Sequence, residues 1–298
     1  MNIRFPFANS FQQHKIAGVD NNNSKEARGE EEVKEPIVEA KEKIIDSDIG
    51  YCRYGRGPIN FLFICGGVGC YKKDYPECVL RAFDPNVVTI ICIDPPGYGT
   101  SRPPDRKQEV SRCKKDAQYC LKLMEALNLT PFVVLGWSEG GRTSIHVAGQ
   151  GKTLVSQMVL LSSGTQVDMR GDMAFKGMRN TDQWLPAAKA PYLEHYSEGF
   201  FKEQWAGLCD VVSRVYNDLG GRFPCDQVLS TLKIPVLIVH GYMDRFVLDP
   251  SLMSKKLEKA RVEVHAQGGH DLHIKYPRWF ASKVTNFANE SKTNGVTK

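Results

Sequence analysis

The sequence has no long hydrophobic run. Its longest apolar stretches, Ile59–Cys65 and Val87–Ile93, are far too short to cross a bilayer, which takes about 20 residues. No apolar segment follows the N-terminus, so a secretory signal peptide is not expected. These absences predict an intracellular, cytoplasmic protein that does not act at a membrane.

The sequence signatures of metal-binding and nucleic-acid-binding proteins are absent too. None of the nine cysteines forms a CxxC pair, and no Cys/His cluster has zinc spacing, so no metal site is expected. The number of cysteines is odd, which suits a reducing compartment. The net charge is +5, but the basic residues are scattered among acidic ones, without a basic stripe interleaved with aromatics. Nucleic-acid binding is therefore not expected.

Residues 1–37 differ in composition from the rest. They contain an Asn run and a Glu run with few periodic apolar residues, which predicts a disordered tail. The first sixteen residues carry Arg4 and Lys15 and no acid, so a mitochondrial presequence is the alternative to a plain flexible tail.

From residue 38 to 298, predicted strands alternate with predicted helices, which favours one α/β domain with a mainly parallel, doubly wound sheet. The alternation stops between Gly164 and about Phe223, in a stretch rich in Met and aromatic residues. It is too long and too apolar for a loop. We interpret residues 165–223 as a small helical cap inserted after the sixth strand, with additional core helices as the alternative. The predicted strands are Ile49–Tyr54, Ile59–Cys65, Val87–Ile93, Pro131–Leu135, Val155–Leu161, Pro235–His240 and Val262–Ala266, and the helices are Ser111–Leu127, Glu139–Gly149, Pro250–Ala260 and Tyr276–Glu290.

A Gly-x-Ser-x-Gly motif lies at Gly136–Gly140, with Ser138 at its centre. The motif alone is weak, but here a buried strand leads into it and a helix leads out. Glycines on both sides permit the sharp turn that exposes a nucleophilic serine. The context predicts that Ser138 is a nucleophile.

A serine nucleophile needs a base and an acid that orients the base. His270 follows two glycines after the last predicted strand, and Asp244 follows the strand that ends at His240. Both positions lie at the carboxyl edge of the sheet. His273 and Asp249 are the rivals, although Asp249 precedes Pro250 and is accounted for as a helix N-cap. The order Ser138, Asp244, His270 is that of α/β-hydrolases.

The run Cys65–Gly69 follows an early strand and is rich in glycine. We expect the backbone N–H groups of Gly67 and Glu139 to form an oxyanion hole. A phosphate-binding loop is excluded because no Gly-Lys-Ser/Thr follows.

Together these residues make the sequence resemble the α/β-hydrolases, and among them most of all the valacyclovir hydrolases, from about Val38 to the C-terminus. The motifs that carry the resemblance are Gly66-Gly67, Asp94-x-x-Gly97-x-Gly99-x-Ser101, Gly136-Trp137-Ser138-x-Gly140-Gly141, His240-Gly241-x-x-Asp244 and Gly269-His270-x-x-His273. The resemblance implies an α/β-hydrolase fold and hydrolysis of small amino-acid esters without a metal or organic cofactor. We expect a monomer with a small-molecule ester substrate.

One residue departs from that family, in which Asp typically follows the nucleophile, whereas this chain has Glu139. A carboxylate there could pair with the α-ammonium group of a substrate. Alternatively, Glu139 only favours the helix N-terminus or pairs with Arg142. Likewise Trp184, Tyr192 and Trp205 would either line an acyl pocket or only pack the cap.

Two other functions stay open. The same triad would serve a thioesterase, a peptidase or a carbon–carbon hydrolase. A non-catalytic ligand-binding protein of this fold is the third hypothesis, and the complete triad argues against it.

Overall fold

A single eight-stranded sheet organises residues 34–247 and 249–293, which are the residues that the computed structural model describes. The order is β1-β2-β4-β3-β5-β6-β7-β8. The first two strands pair antiparallel, as do β2 and β4, and the remaining pairs are parallel. The strands are β1 (Ile37–Ile44), β2 (Ser47–Tyr54), β3 (Ile59–Ile64), β4 (Val88–Ile93), β5 (Phe132–Trp137), β6 (Val155–Leu161), β7 (Val236–Gly241) and β8 (Ala260–His265).

Helices cover both faces of this sheet. One apolar layer joins the sheet to α3 and α4, and the other joins it to α1, α2 and α10. The predicted doubly wound, mainly parallel sheet is therefore confirmed. None of the helices in the described part of the chain is long and apolar enough to cross a membrane. The helices are α1 (Tyr71–Asp74), α2 (Glu77–Leu80), α3 (Arg112–Ala126), α4 (Glu139–Gly151), α5 (Met169–Met178), α6 (Pro186–Leu193), α7 (Glu198–Asp218), α8 (Ser251–Ser254), α9 (Leu272–Lys275) and α10 (Pro277–Thr293).

The structure contains the short helices α1, α2 and α9, which were not predicted, and differs from the sequence-based elements at two further places. The helix expected over Pro250–Ala260 is only the four residues of α8, because Ala260 already pairs with Val236 as the first residue of β8. Strand β1 was not predicted, since half of its residues are charged and half of them face solvent. The expected tail, residues 1–37, lies outside the described residues except for its last four, and β1 already begins at Ile37.

Three helices, α5, α6 and α7, fill the segment 165–223 that follows β6. The indole N–H groups of Trp184 and Trp205 both donate to the carbonyl of Met178, at 3.0 and 3.1 Å. Tyr192 packs on both indoles, so the aromatic residues hold the segment together internally. The hydroxyl of Tyr196 donates to the carbonyl of Gly69 at 3.0 Å, which ties the segment to the loop after β3.

Candidate active site

Ser138 occupies a sharp turn between β5 and α4. Its φ of 55° and ψ of −117° are a strained combination for a residue other than glycine. The turn is possible because two glycines allow close backbone approach. A Cβ on Gly136 would lie 2.1 Å from the Gly140 oxygen, and a Cβ on Gly140 would lie 2.2 Å from the Ile64 oxygen. The packing explains why the motif requires glycine on both sides of Ser138.

Gly140→Ala is therefore expected to destabilise the fold by about 3 kcal/mol. The new methyl group meets backbone atoms, which can move only if the chain segment that contains them also moves. Urea unfolding monitored by circular dichroism measures the change. Gly199→Ala is the matched control, since a Cβ there meets nothing within 4 Å and alanine suits its helix. Equal stabilities of the two variants would contradict this account of the turn.

Three side chains that were predicted to act together do lie together. Nε2 of His270 is 3.0 Å from Oγ of Ser138, and Nδ1 of His270 is 2.9 Å from Oδ2 of Asp244. The other oxygen of Asp244 accepts the N–H of Phe246 at 2.8 Å. Burial disfavours the charged carboxylate, but His270 and this hydrogen bond outweigh burial and keep the pKa of Asp244 below its usual value. The carboxylate is therefore ionised and aimed at the imidazole.

The two rival residues, His273 and Asp249, have hydrogen-bond partners outside the triad. His273 is completely buried, and its Nε2 is hydrogen-bonded to the carbonyl oxygen of Asp74 at 2.8 Å. Burial lowers the pKa of His273 to about 3, so this imidazole stays neutral in the core. Asp249 is exposed and accepts the N–H of Ser251 at 2.8 Å, as a helix-capping residue would.

Trp137, the residue before Ser138, positions the histidine. Its indole N–H donates to the carbonyl of His270 at 2.8 Å, and the ring centroids of the two residues are 5.4 Å apart. The Phe246 ring contacts His270 from another direction, with centroids 5.1 Å apart. The sequence reasoning assigned no such contact to either residue, because both contacts join segments far apart in the chain.

The loop after β3 presents its backbone towards Ser138. A Cβ on Gly66 would lie 3.4 Å from the Cβ of Ser138, so the two backbones are close. The N–H of Gly66 is used by Asp74, whose Oδ2 accepts it at 2.8 Å. The N–H of Gly67 has no hydrogen-bond partner within the described residues, and Glu139, as the first residue of α4, also has a free N–H. Both expected oxyanion donors are therefore available.

Asp74 is a residue that the sequence reasoning missed. Its side chain is fully buried and pairs with the ammonium group of Lys73 while it accepts the N–H of Gly66. The carboxylate thus fixes the start of the loop that carries Gly67. Its position in a charged run gave no signal for this role.

The partner of Glu139 is Arg112 from α3. Nε of Arg112 donates to Oε1 of Glu139 at 3.0 Å, and a second guanidinium nitrogen donates to Oε2. The expected alternative, Arg142, instead donates to the carbonyl of Gly164 at 3.0 Å and stacks on Phe223. That alternative was wrong because the Arg142 side chain turns towards the end of β6.

Ion pairing also fixes the charge of Glu139. Burial opposes ionisation, but Arg112 and then Arg106 overcome it and lower the pKa of Glu139 to about 2. The carboxylate beside the nucleophile is therefore charged and already paired before any substrate arrives.

Comparison with known proteins agrees with the fold. A family model described as alpha/beta hydrolase fold matches residues 59–187. Serine hydrolase BPHL from Homo sapiens is 27% identical over 254 residues, which cover 84% of this chain and 86% of the relative. Monoacylglycerol lipase ABHD6 from Mus musculus is 26% identical over 237 residues, with 69% of each chain covered.

Solved structures share the fold. The meta-cleavage product hydrolase CumD from Pseudomonas fluorescens IP01 superposes with a TM-score of 0.66 and 21% identity, covering 84% of this chain and 98% of its own. The protein lip1 from Acinetobacter baumannii AYE gives a TM-score of 0.70 with 18% identity, covering 87% of this chain and 93% of its own.

Proposed function

Because the chain has an α/β-hydrolase fold and is similar to a serine hydrolase over most of its length, we propose that it cleaves carboxylic esters through an acyl-enzyme on Ser138. The observation that carries the proposal is the continuous hydrogen-bonded line from Asp244 through His270 to Ser138, at 2.9 and 3.0 Å. An arrangement of this kind activates a hydroxyl that is otherwise a weak nucleophile at neutral pH.

In the proposed reaction, Oγ of Ser138 attacks the ester carbonyl while Nε2 of His270 takes its proton. The N–H groups of Gly67 and Glu139 donate to the negative oxygen of the tetrahedral intermediate. The intermediate collapses, the carbon–oxygen bond to the alcohol breaks, and His270 gives its proton to the leaving alcohol. Water then attacks the acyl-enzyme with His270 again as base, which releases the acid and restores Ser138.

The surroundings of Glu139 bear on which acyl groups the site accepts. The resemblance to valacyclovir hydrolases implies amino-acid esters, with Glu139 as the partner of the α-ammonium group. In the structure, however, the Glu139 carboxylate is engaged by Arg112. We therefore propose hydrolysis of carboxylic esters in general. Glu139 gives no support for a preference for amino-acid esters.

A matched pair of acyl donors tests the reaction type. Because the proposed reaction passes through an acyl-enzyme on Ser138, we expect 4-nitrophenyl butanoate to be turned over with a burst of 4-nitrophenol equal to the enzyme concentration. Such a burst reports an acyl-enzyme that forms faster than it hydrolyses. Stopped-flow absorbance measures it, with S-phenyl thiobutanoate as the comparison.

Other outcomes would support a different function or a different mechanism. A kcat/KM for the thioester well above that for the oxygen ester would support a thioesterase instead. Tight binding of either compound without turnover would support a non-catalytic ligand-binding protein. Turnover with no acylated Ser138 in the mass spectrum of quenched enzyme would contradict the covalent mechanism.

A further inference from the structure

Glu139 follows the nucleophile directly, yet its carboxylate is closed off from solvent. The Glu139 side chain is 7% exposed and that of Arg112 is 4% exposed. Both carboxylate oxygens accept hydrogen bonds from Arg112, one of them at 3.0 Å. Such two-pronged pairs combine charge with fixed geometry and are among the strongest hydrogen-bonded contacts in proteins.

A second buried ion pair lies beside this one. Arg106 lies 3.9 Å from Oε1 of Glu139 and is itself bound by Asp116 at 2.5 and 3.2 Å. Two arginines against two carboxylates leave no unpaired charge between these four side chains. Cys113 also lies there, and burial raises the pKa of its thiol, so it adds no negative charge.

The ion pair of Glu139 and Arg112 also lies next to the loop after β3, which carries Gly67. A Cβ on Gly67 would be 3.8 Å from Oε2 of Glu139, and Leu208 of α7 covers the same glycine. An acyl group bound with its carbonyl oxygen on the Gly67 N–H would therefore hold its α-carbon near this cluster. An α-ammonium group there would meet a carboxylate whose two oxygens are already bound by Arg112, with the Arg106 guanidinium 3.9 Å away, which disfavours it.

Resting on the proposed function, we propose that Arg112 is a specificity-determining residue: it occupies the Glu139 carboxylate and thereby directs the site to esters whose acyl group has no α-ammonium group. Glu139 would then serve through its backbone N–H, with its side chain withheld from the substrate. The expected substrate class is esters of acids that are uncharged at the α-carbon.

L-Valine benzyl ester and benzyl 3-methylbutanoate test this inference, since they differ only in the α-amino group. The ratio of their kcat/KM values is compared between enzyme forms, so that the intrinsic reactivity of each ester cancels. Arg112→Met frees the Glu139 carboxylate, and we expect it to raise the ratio in favour of the valine ester by about tenfold or more. Arg112→Met combined with Glu139→Gln should return the ratio to that of the wild type.

The double variant keeps the inference falsifiable if Arg112→Met alone does not fold. Replacing both partners of a buried ion pair is often neutral for stability, whereas removing one is costly. If the double variant lowers the ratio about tenfold below wild type, Glu139 binds the ammonium group in the wild type and the inference is overturned. A folded Arg112→Met enzyme with an unchanged ratio overturns it as well. Failure of the wild type to hydrolyse either ester would instead overturn the proposed function itself.

Discussion

Ser138→Ala is expected to lower kcat for ester hydrolysis by about a millionfold, because it removes the hydroxyl that lies 3.0 Å from Nε2 of His270 and serves as the proposed nucleophile. The residual rate would come from the oxyanion donors and from binding alone. Substrate affinity should change little, since the substitution removes a single hydroxyl group and leaves the rest of the site in place. Pre-steady-state and steady-state assays with 4-nitrophenyl butanoate measure both quantities, and the burst should vanish.

A second serine provides the control for this substitution. Ser156 is half-buried near the start of β6, away from the carboxyl edge of the sheet, and its hydroxyl donates to the Phe132 carbonyl at 3.1 Å. Ser156→Ala removes one hydroxyl of the same kind and should leave kcat within about twofold, since residues that are distant and share no partners act independently. A Ser138→Ala enzyme that keeps more than a hundredth of wild-type activity would contradict the role of this serine.

Much of the sheet could be predicted because its strands carry an uninterrupted apolar pattern. All six residues of β4 are buried, as is expected for a parallel strand covered on both faces. The triad could be predicted as well, because each of its members follows a strand at the carboxyl edge, where loops of parallel strands converge. Position along the chain thus contained enough information to place Ser138, Asp244 and His270 together.

Other features depend on contacts that no local pattern records. Arg112 and Glu139 are 27 positions apart, and only the packing of α3 against α4 brings the guanidinium to the carboxylate. The contact between Asp74 and Gly66 depends in the same way on how α1 folds back under the loop. Local composition misled the prediction around Pro250, where capping residues indicated a long helix but pairing with β7 required a strand from Ala260. Tertiary context overrides local propensity in each case.

Asp244 also gives stability that depends on pH. Its pKa is lowered on folding, so its contribution is fully present above the unfolded value of about 4 and is lost as the pH falls through the lower folded value. This sign follows because the unfolded chain binds the proton more readily than the folded one. A variant without this carboxylate should therefore differ most from the wild type above about pH 4.

Asp244→Asn is accordingly expected to lower kcat by about 10⁴-fold at neutral pH while the fold is kept. Asparagine can still accept the Phe246 N–H, but it no longer stabilises the imidazolium or fixes the proton of His270 on Nδ1. The kcat of both enzymes is measured from pH 5 to 9 with 4-nitrophenyl butanoate. Asp249→Asn is the matched control, because that exposed carboxylate only caps a turn through Ser251 and asparagine caps equally well. If Asp249→Asn reduced kcat as much as Asp244→Asn does, the carboxylate that orients His270 would have been misassigned.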